Sequence, residues 1–249
     1  MKTAVPRPAA DRRQEEYFNS RAHGYLDFKP GDVYAQKMVE RVIAFAGLAP
    51  GARLLEIGAG AGRFSLLFCQ RGFRMTCLDI SRQQLTKLEE GARRCGIAAE
   101  NLTVACRSLD DFLDNDTQVY DAVIGYFILH HLEVARLGSY LRRLRPRLRP
   151  GGLICFLEPN RYCPLYPVQI LWRKDLSFPQ EKNMYLLSQR LLGREARAAG
   201  YGDLRFKKCG LFPPLCLNAW PRLLDAEAVI ERIPPLKPVL PFLMMSARR

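Results

Sequence analysis

The sequence predicts an α/β fold, a doubly wound and mostly parallel sheet of seven strands with helices on both faces. Short apolar runs alternate with segments of helical periodicity along most of the 249 residues. The links between them are short, as in repeated βα units. The first apolar run, 54–57, is followed by glycines at every second place in GAGAG. The chain therefore leaves a strand through a glycine-rich loop and enters a helix, which brings bare N–H groups and a helix N-terminus against a ligand and suits an anion.

The apolar and periodic segments are assigned to elements in chain order. The predicted strands are 54–57, 74–80, 101–106, 120–126, 151–159, 203–209 and 238–249. The predicted helices cover 33–48, a segment that starts within or just after the glycines, 81–95, 131–145, 188–201 and part of 220–235. Ser81 is expected to cap the third helix. Segments rich in proline, 160–185 and 220–235, predict insertions after strands five and six.

The glycine loop lacks the features of two common nucleotide-binding motifs. A dinucleotide fingerprint requires a glycine where Arg63 stands, and no Gly-Lys-Ser/Thr of a P-loop follows. What remains is an acid, Glu56, followed by Gly58, Gly60 and Gly62.

This stretch and four later ones resemble the class I S-adenosylmethionine-dependent methyltransferases, whose first motif is an acidic residue followed by G-x-G-x-G. Asp79 ends strand two, 107–112 (RSLDDF) follows strand three, and 120–133 (YDAVIGYFILHHLE) is similar to the family's D-x-V-x-x-x-x-x-L-H-H block. The segment 148–152 (LRPGG) matches the turn before strand five. The resemblance implies a Rossmann-like methyltransferase fold, S-adenosylmethionine as cofactor, and methyl transfer as the activity.

The resemblance also implies a set of cofactor contacts. These are Glu56, Gly58, Ala59, Gly60, Asp79, Ile80, Ser108, Leu109 and Tyr126. A carboxylate at Asp79 can accept hydrogen bonds from both ribose hydroxyls, while Ser81 takes the alternative role of helix cap. Ser108 stands where the family commonly has an aspartate, so the adenine contact is expected from backbone or hydroxyl. Asp110 or Asp111 either substitutes for that aspartate or begins a short helix.

Candidate catalytic residues follow strand four. His130 and His131 are expected to start a helix, so that at most one faces the cleft, and the resemblance favours His131 as a general base. Packing is the alternative for both. Tyr126 is predicted to line the methionine part of the cofactor or to steer the acceptor, with a core position as the alternative. No metal is expected, because the methyl group on a sulfonium needs only an aligned acceptor.

Residues at the end of strand five and beyond it are predicted to touch the acceptor. Glu158 and Asn160 lie where parallel sheets bind ligands. The following insertion adds aromatic and basic side chains. They are Tyr162, Tyr166, Trp172 and Phe178, with Arg161, Arg173 and Lys174. Such a set fits a hydrophobic or acidic molecule, or forms a satellite core under a long loop.

The chain is predicted to form a single methyltransferase domain, 1–249. Residues 1–50 are expected to be an N-terminal helical lid, 51–160 the cofactor-binding core, and 161–249 the substrate-side insertions and last strands. In the first part, Tyr17, Phe18 and Tyr25 resemble a lid that closes over the cofactor. A docked amphipathic helix is the alternative.

Charge and cysteine content bear on partners and location. The formal charge is +13, and residues 136–208 contribute +11 of it, which favours an anionic partner or only a solvated basic face. Eight cysteines without a CxxC pair indicate reduced core thiols. An N-terminus without an apolar segment and the lack of 18 consecutive apolar residues predict a cytoplasmic protein without a membrane span.

We therefore expect a methyltransferase with a hydrophobic or acidic small-molecule acceptor. One alternative is a methyltransferase acting on RNA or protein, which the charge favours. The D/N-P-P-Y/F block of many base and glutamine methylases is absent after strand four, which argues against part of that group. Another alternative is a non-catalytic partner protein that retains the fold. The oligomeric state is left open.

Overall fold

The computed structural model describes Glu15, Glu16, Asn19, residues 27–167 and residues 178–249. Seven strands form one sheet in the order β3-β2-β1-β4-β5-β7-β6. The strands are β1 (Arg53–Ile57), β2 (Arg74–Asp79), β3 (Leu102–Cys106), β4 (Tyr120–Tyr126), β5 (Leu148–Pro159), β6 (Gly202–Cys209) and β7 (Phe242–Arg248). The first five pair in parallel, and β7 runs antiparallel between β5 and β6. The predicted mostly parallel, seven-stranded sheet is confirmed.

Helices cover both faces of this sheet. They are α1 (Val33–Ala46), α2 (Ser65–Gln70), α3 (Arg82–Arg94), α4 (Leu109–Asn115), α5 (Leu137–Leu144), α6 (Phe178–Glu181), α7 (Gln189–Ala198), α8 (Pro214–Ala219) and α9 (Leu223–Ile230). Apolar side chains of α1, α2 and α3 pack on one face, with Leu54 of β1. Those of α4, α5 and α7 pack on the other, with Leu55. Successive strand residues point to opposite faces, so one strand serves both cores.

Two predicted segments differ from the observed ones. The predicted helix 131–145 begins only at Leu137, after a turn at the histidine pair and a 3₁₀ turn over Val134–Arg136. The LRPGG segment belongs to β5, where the register to β4 shifts between Tyr120 and Ala122. Leu148 pairs with Tyr120 and Leu153 with Ala122, so the register to β4 skips residues 149–152, which include both glycines of the segment.

The N-terminal region includes part of the core. In α1, Tyr34, Met38 and Val42 are buried, so this helix forms a covering layer of the sheet. Residues 1–50 were predicted to be a lid, but α1 belongs to the core and is not part of a lid. Tyr17, Phe18 and Tyr25 lie outside the described residues, so the lid stays a prediction for the segment before α1.

The described residues contain no helix that is long and apolar enough to cross a membrane. All eight cysteines are free, and five of them are buried. They pack as small apolar side chains, in line with the prediction of reduced core thiols.

Candidate functional site

The glycine loop is fastened to the end of β2. The backbone N–H groups of Gly58 and Ala59 both donate to the carbonyl oxygen of Leu78, at 2.8 and 3.1 Å. The Gly60 N–H donates to Oδ2 of Asp79 at 2.8 Å. The sequence favoured bare N–H groups that bind an anion, but these three donors are satisfied internally. These N–H groups are therefore not available to an anion, and the loop instead allows a ligand to approach its backbone closely.

Space beside the loop differs from glycine to glycine. A Cβ atom at Gly58 would lie 2.5 Å from Cδ1 of Ile128, and one at Gly62 would lie 2.7 Å from Cγ of Leu88. A Cβ at Gly60 meets no described atom within 4 Å. Gly60 therefore marks the open side of the loop, where a ligand can reach the backbone.

Replacing Gly60 with alanine is expected to weaken S-adenosylmethionine binding at least tenfold. Its φ of 53° is in the left-handed region, so alanine also costs about 1–2 kcal/mol of stability. Gly51→Ala is the matched control, because Gly51 has a φ of 83°, is equally open and lies in the loop before β1. Calorimetric titration should show the affinity loss in Gly60→Ala alone, with similar thermal destabilisation in both. Equal affinities would contradict the position given to the cofactor.

Asp79 sits at the carboxyl end of β2, partly exposed. Its Oδ1 accepts from the Ser81 N–H at 2.8 Å and its Oδ2 from the Gly60 N–H at 2.8 Å. Burial raises the pKa of this carboxyl, and the hydrogen bonds from Ser81, Gly60 and Ile80 oppose that rise. Each carboxylate oxygen has a second acceptor site, so two hydroxyl groups can still bind.

Glu56 of β1 lies beneath the glycine loop and is 1% exposed. Its Oε2 accepts a hydrogen bond from the Ser65 hydroxyl at 2.5 Å. Burial raises the pKa of Glu56 to about 8, opposed by the Ser65 bond and supported by the charge of Asp79. The sequence alone does not indicate Ser65, at the start of α2, because only the fold places its side chain opposite Glu56.

Predicted adenine-side residues lie at the end of β3 and the adjacent end of β2. Ser108 caps α4 by accepting from the Asp111 N–H, and the Leu109 side chain is buried in the core. A contact from Leu109 to a cofactor therefore requires its backbone. Asp110 does not substitute for the family aspartate, because it is paired with Arg136 and Arg143 of the α5 region. Ala59 lies in the glycine loop, where its N–H group donates to the Leu78 carbonyl, and Ile80 directly follows Asp79.

Tyr126 occupies the core position that was the alternative to a contact with the cofactor or the acceptor. It is 6% exposed, and its ring stacks on Phe64 with centroids 4.0 Å apart. Its hydroxyl donates to the carbonyl oxygen of Met38 in α1 at 3.4 Å. Helix α1 covers this ring, so the hydroxyl is not presented to an acceptor. Burial raises its pKa well above the usual value.

Both histidines lie in the turn after β4, close to Glu158. Oε1 of Glu158 accepts from the Ile128 and Leu129 N–H groups at 2.9 and 2.8 Å, and Oε2 lies 2.7 Å from Nδ1 of His130. Burial lowers the pKa of His130, but Glu158 and Glu181 outweigh it and raise the value to about 9. Burial and the neighbouring His130 hold the pKa of His131 well below its usual value. Both carboxylate oxygens of Glu158 therefore bind groups of this turn and orient it. The predicted contact between Glu158 and the acceptor is wrong.

The residue before this turn has an unusual backbone conformation that the sequence did not indicate. Phe127 has a φ of 56°, which is rare for a residue with a bulky side chain. It directly follows β4, at the edge that carries Asp79 and the glycine loop. Strained residues concentrate at functional sites, so the conformation of Phe127 supports the assignment of the functional site to this edge of the sheet.

Predicted acceptor residues beyond β5 divide into two groups. The Asn160 side chain donates to the carbonyl oxygens of Pro238 and Leu240. Asn160 is therefore a structural residue, and the predicted contact between Asn160 and the acceptor is wrong. The Tyr166 hydroxyl is likewise bonded, to the Pro241 carbonyl. Tyr162 and Phe178 are exposed, whereas Trp172, Arg173 and Lys174 lie outside the described residues. Arg161 stacks over the Tyr162 ring.

Residues 55–154 match the family model described as a methyltransferase domain. Together with the fold and the loop, this match indicates a class I S-adenosylmethionine-dependent methyltransferase, in line with the resemblance. It is 24% identical over 200 residues to a ubiquinone biosynthesis O-methyltransferase of Chromobacterium violaceum, with 77% of this chain and 84% of the relative covered.

Solved structures with the same fold cover nearly the whole chain. A SAM-dependent methyltransferase from Archaeoglobus fulgidus superposes with a TM-score of 0.63 and 15% identity, over 96% of this chain and 99% of that one. The [4+2]-cyclase SpnF superposes with a TM-score of 0.65 and 16% identity, over 99% of each chain. At these identities the likeness concerns the fold.

A basic groove of about 680 Å³ lies away from the glycine loop, against the edge strand β6. Its charged lining residues are Lys37, Arg41, Lys207, Lys208, Glu231, Arg232 and Lys237. Arg41 is paired with Glu227 and Glu231, so it is not available to a ligand without breaking those bonds. The groove accounts for part of the predicted basic surface.

Proposed function

We propose that the protein transfers the methyl group of S-adenosylmethionine to a small-molecule acceptor with an oxygen nucleophile. The observation that carries this proposal is the open side of the loop at Gly60 beside the free acceptor sites of Asp79. The kinship with an enzyme named for O-methylation in ubiquinone biosynthesis supports the acceptor class.

The residues divide the task between binding and alignment. Asp79 accepts the two ribose hydroxyls, and the glycine loop admits the cofactor close to its backbone. The bound cofactor supplies a methyl group on a positively charged sulfur, ready for displacement. The acceptor enters from the edge formed by the ends of β4 and β5, where the turn at His130 and the exposed Tyr162 lie. Its oxygen must lie in line behind the methyl group.

Segments outside the core supply contacts that support a cover over the cofactor. Asn19 contacts the Ser81 hydroxyl at 2.6 Å, and Asp27 forms a backbone bridge with Gly62. We therefore extend the proposal to the predicted lid: residues before α1 close over the site and exclude water from the sulfonium. The free cysteines agree with a reducing, cytoplasmic location.

The test uses S-adenosylmethionine with a radioactive methyl group and an extract of the source cells. After incubation, label is measured in organic-soluble, aqueous small-molecule, protein and nucleic-acid fractions. Label in a small-molecule fraction, reduced with the Gly60→Ala variant at a limiting concentration of S-adenosylmethionine, supports the proposal. Label confined to nucleic acid or protein overturns it and makes the basic groove the substrate surface. Cofactor binding without label in any fraction points to a non-catalytic role.

A further inference from the structure

A cluster of three metal-ligating side chains lies at the carboxyl edge of the sheet. His130 and His131 come from the turn after β4, and Glu181 comes from α6 in the insertion. One ligand atom from each lies within 4.8 Å of the others. The side chains of His130 and Glu181 are 2% and 13% exposed. Two imidazoles and a carboxylate thus converge in a largely buried place.

The orientation of His130 is fixed by a residue outside the cluster. Oε2 of Glu158 binds Nδ1 of His130 at 2.7 Å, which turns Nε2 toward Oε2 of Glu181 at 3.3 Å. Glu158 is itself held by two backbone N–H groups through its other oxygen. A carboxylate that binds one ring nitrogen while the other faces a metal is the usual outer shell of a histidine ligand.

We infer that His130, His131 and Glu181 bind one divalent first-row transition-metal ion. Zinc bonds of about 2.0–2.2 Å in tetrahedral geometry place neighbouring ligand atoms about 3.3 Å apart, and the Nε2–Oε2 separation already has that value. Two histidines and one glutamate form a recurrent zinc ligand set with a fourth position left open. Imidazole nitrogens select against magnesium and calcium, which prefer oxygen ligands.

The role of the ion rests on the proposed function. The cluster occupies the edge where the acceptor enters, and an oxygen bound at the open position loses its proton more readily. Coordination also occupies the lone pair of His131, so it replaces the general-base role that the sequence assigned to this residue. The sequence could not indicate this site, because Glu181 is 50 residues from the histidine pair and reaches it only through the fold.

Binding of Zn²⁺ alone to the full-length, metal-stripped protein tests the inference. Wild type is expected to bind one ion per chain by calorimetric titration, and Glu181→Gln to bind at least tenfold more weakly, the smallest loss that follows removal of an outer-shell partner. Glu133→Gln is the matched control, because Glu133 lies in the same loop with a side chain 59% exposed and outside the cluster. His131→Gln provides a second ligand variant should Glu181→Gln misfold.

Coordination by the free cysteines is the main alternative explanation for zinc binding. Binding of Co²⁺ distinguishes a cysteine site from the histidine and glutamate site. Co²⁺ bound to nitrogen and oxygen ligands lacks the thiolate charge-transfer absorption that cysteine coordination produces. Equal zinc affinity in wild type, Glu181→Gln and His131→Gln, or a thiolate spectrum, overturns the inference. S-adenosylmethionine binding by the same metal-stripped samples is measured separately, so failure of the metal site and failure of the proposed function give different results.

Discussion

Replacing Asp79 with alanine is expected to weaken S-adenosylmethionine binding about a hundredfold or more. Hydrogen bonds to charged groups contribute about 1.5–3 kcal/mol each, and in the proposed function the carboxylate accepts two from the ribose. It also holds the Gly60 and Ser81 N–H groups, so the variant loosens the glycine loop. Asp79→Asn retains one acceptor oxygen and should show an intermediate loss in calorimetric titration.

Adenosine and 2′-deoxyadenosine separate the two roles of this carboxylate. Wild type should bind adenosine more tightly than the deoxy analogue, and Asp79→Ala should lose this preference. Asp203→Asn is the matched control, since Asp203 lies in the edge strand β6 with a side chain 60% exposed. If Asp79→Ala bound less tightly but kept the preference, the residue would act through the loop alone and the ribose assignment would be wrong.

The parts of the site that lie at the ends of the first two strands were predicted from the sequence. Glu56 and Asp79 lie near the carboxyl ends of β1 and β2, the glycines follow β1, and these ends meet at one edge of a parallel sheet. Periodicity predicts the strands and strand direction fixes which ends come together, while the family resemblance implied the roles of these residues. The order of the strands along the chain was predicted for the same reason.

The remaining errors share a physical cause, contacts between residues distant in the chain. Tyr126 lies at a strand end that normally faces a ligand, yet α1, more than 80 residues earlier, covers its ring. Asn160 is bonded to a segment nearly 80 residues later. The histidine pair stays outside a helix because Glu158 binds the N–H groups of the turn. Local patterns carry no information on these partners.

Replacing Glu56 with glutamine is expected to remove a pH-dependent loss of stability from the cofactor-free protein. The folded-state pKa of about 8 lies above the ordinary value of 4.5, so folding favours the protonated carboxyl. Its stabilising effect is complete below pH 4.5 and is lost as the pH rises toward 8. The full shift corresponds to about 5 kcal/mol.

Thermal melts of wild type and Glu56→Gln from pH 5 to 8.5 measure this difference. The wild-type melting temperature should fall relative to that of the variant as the pH rises, since glutamine accepts from Ser65 without an ionisable proton. Glu133→Gln, an exposed substitution of the same kind, should follow the wild-type curve. Parallel curves for wild type and Glu56→Gln would show that Glu56 is ionised in the folded protein at neutral pH. The floor of the loop would then carry a negative charge beside Asp79, and the cofactor would meet two carboxylates rather than one.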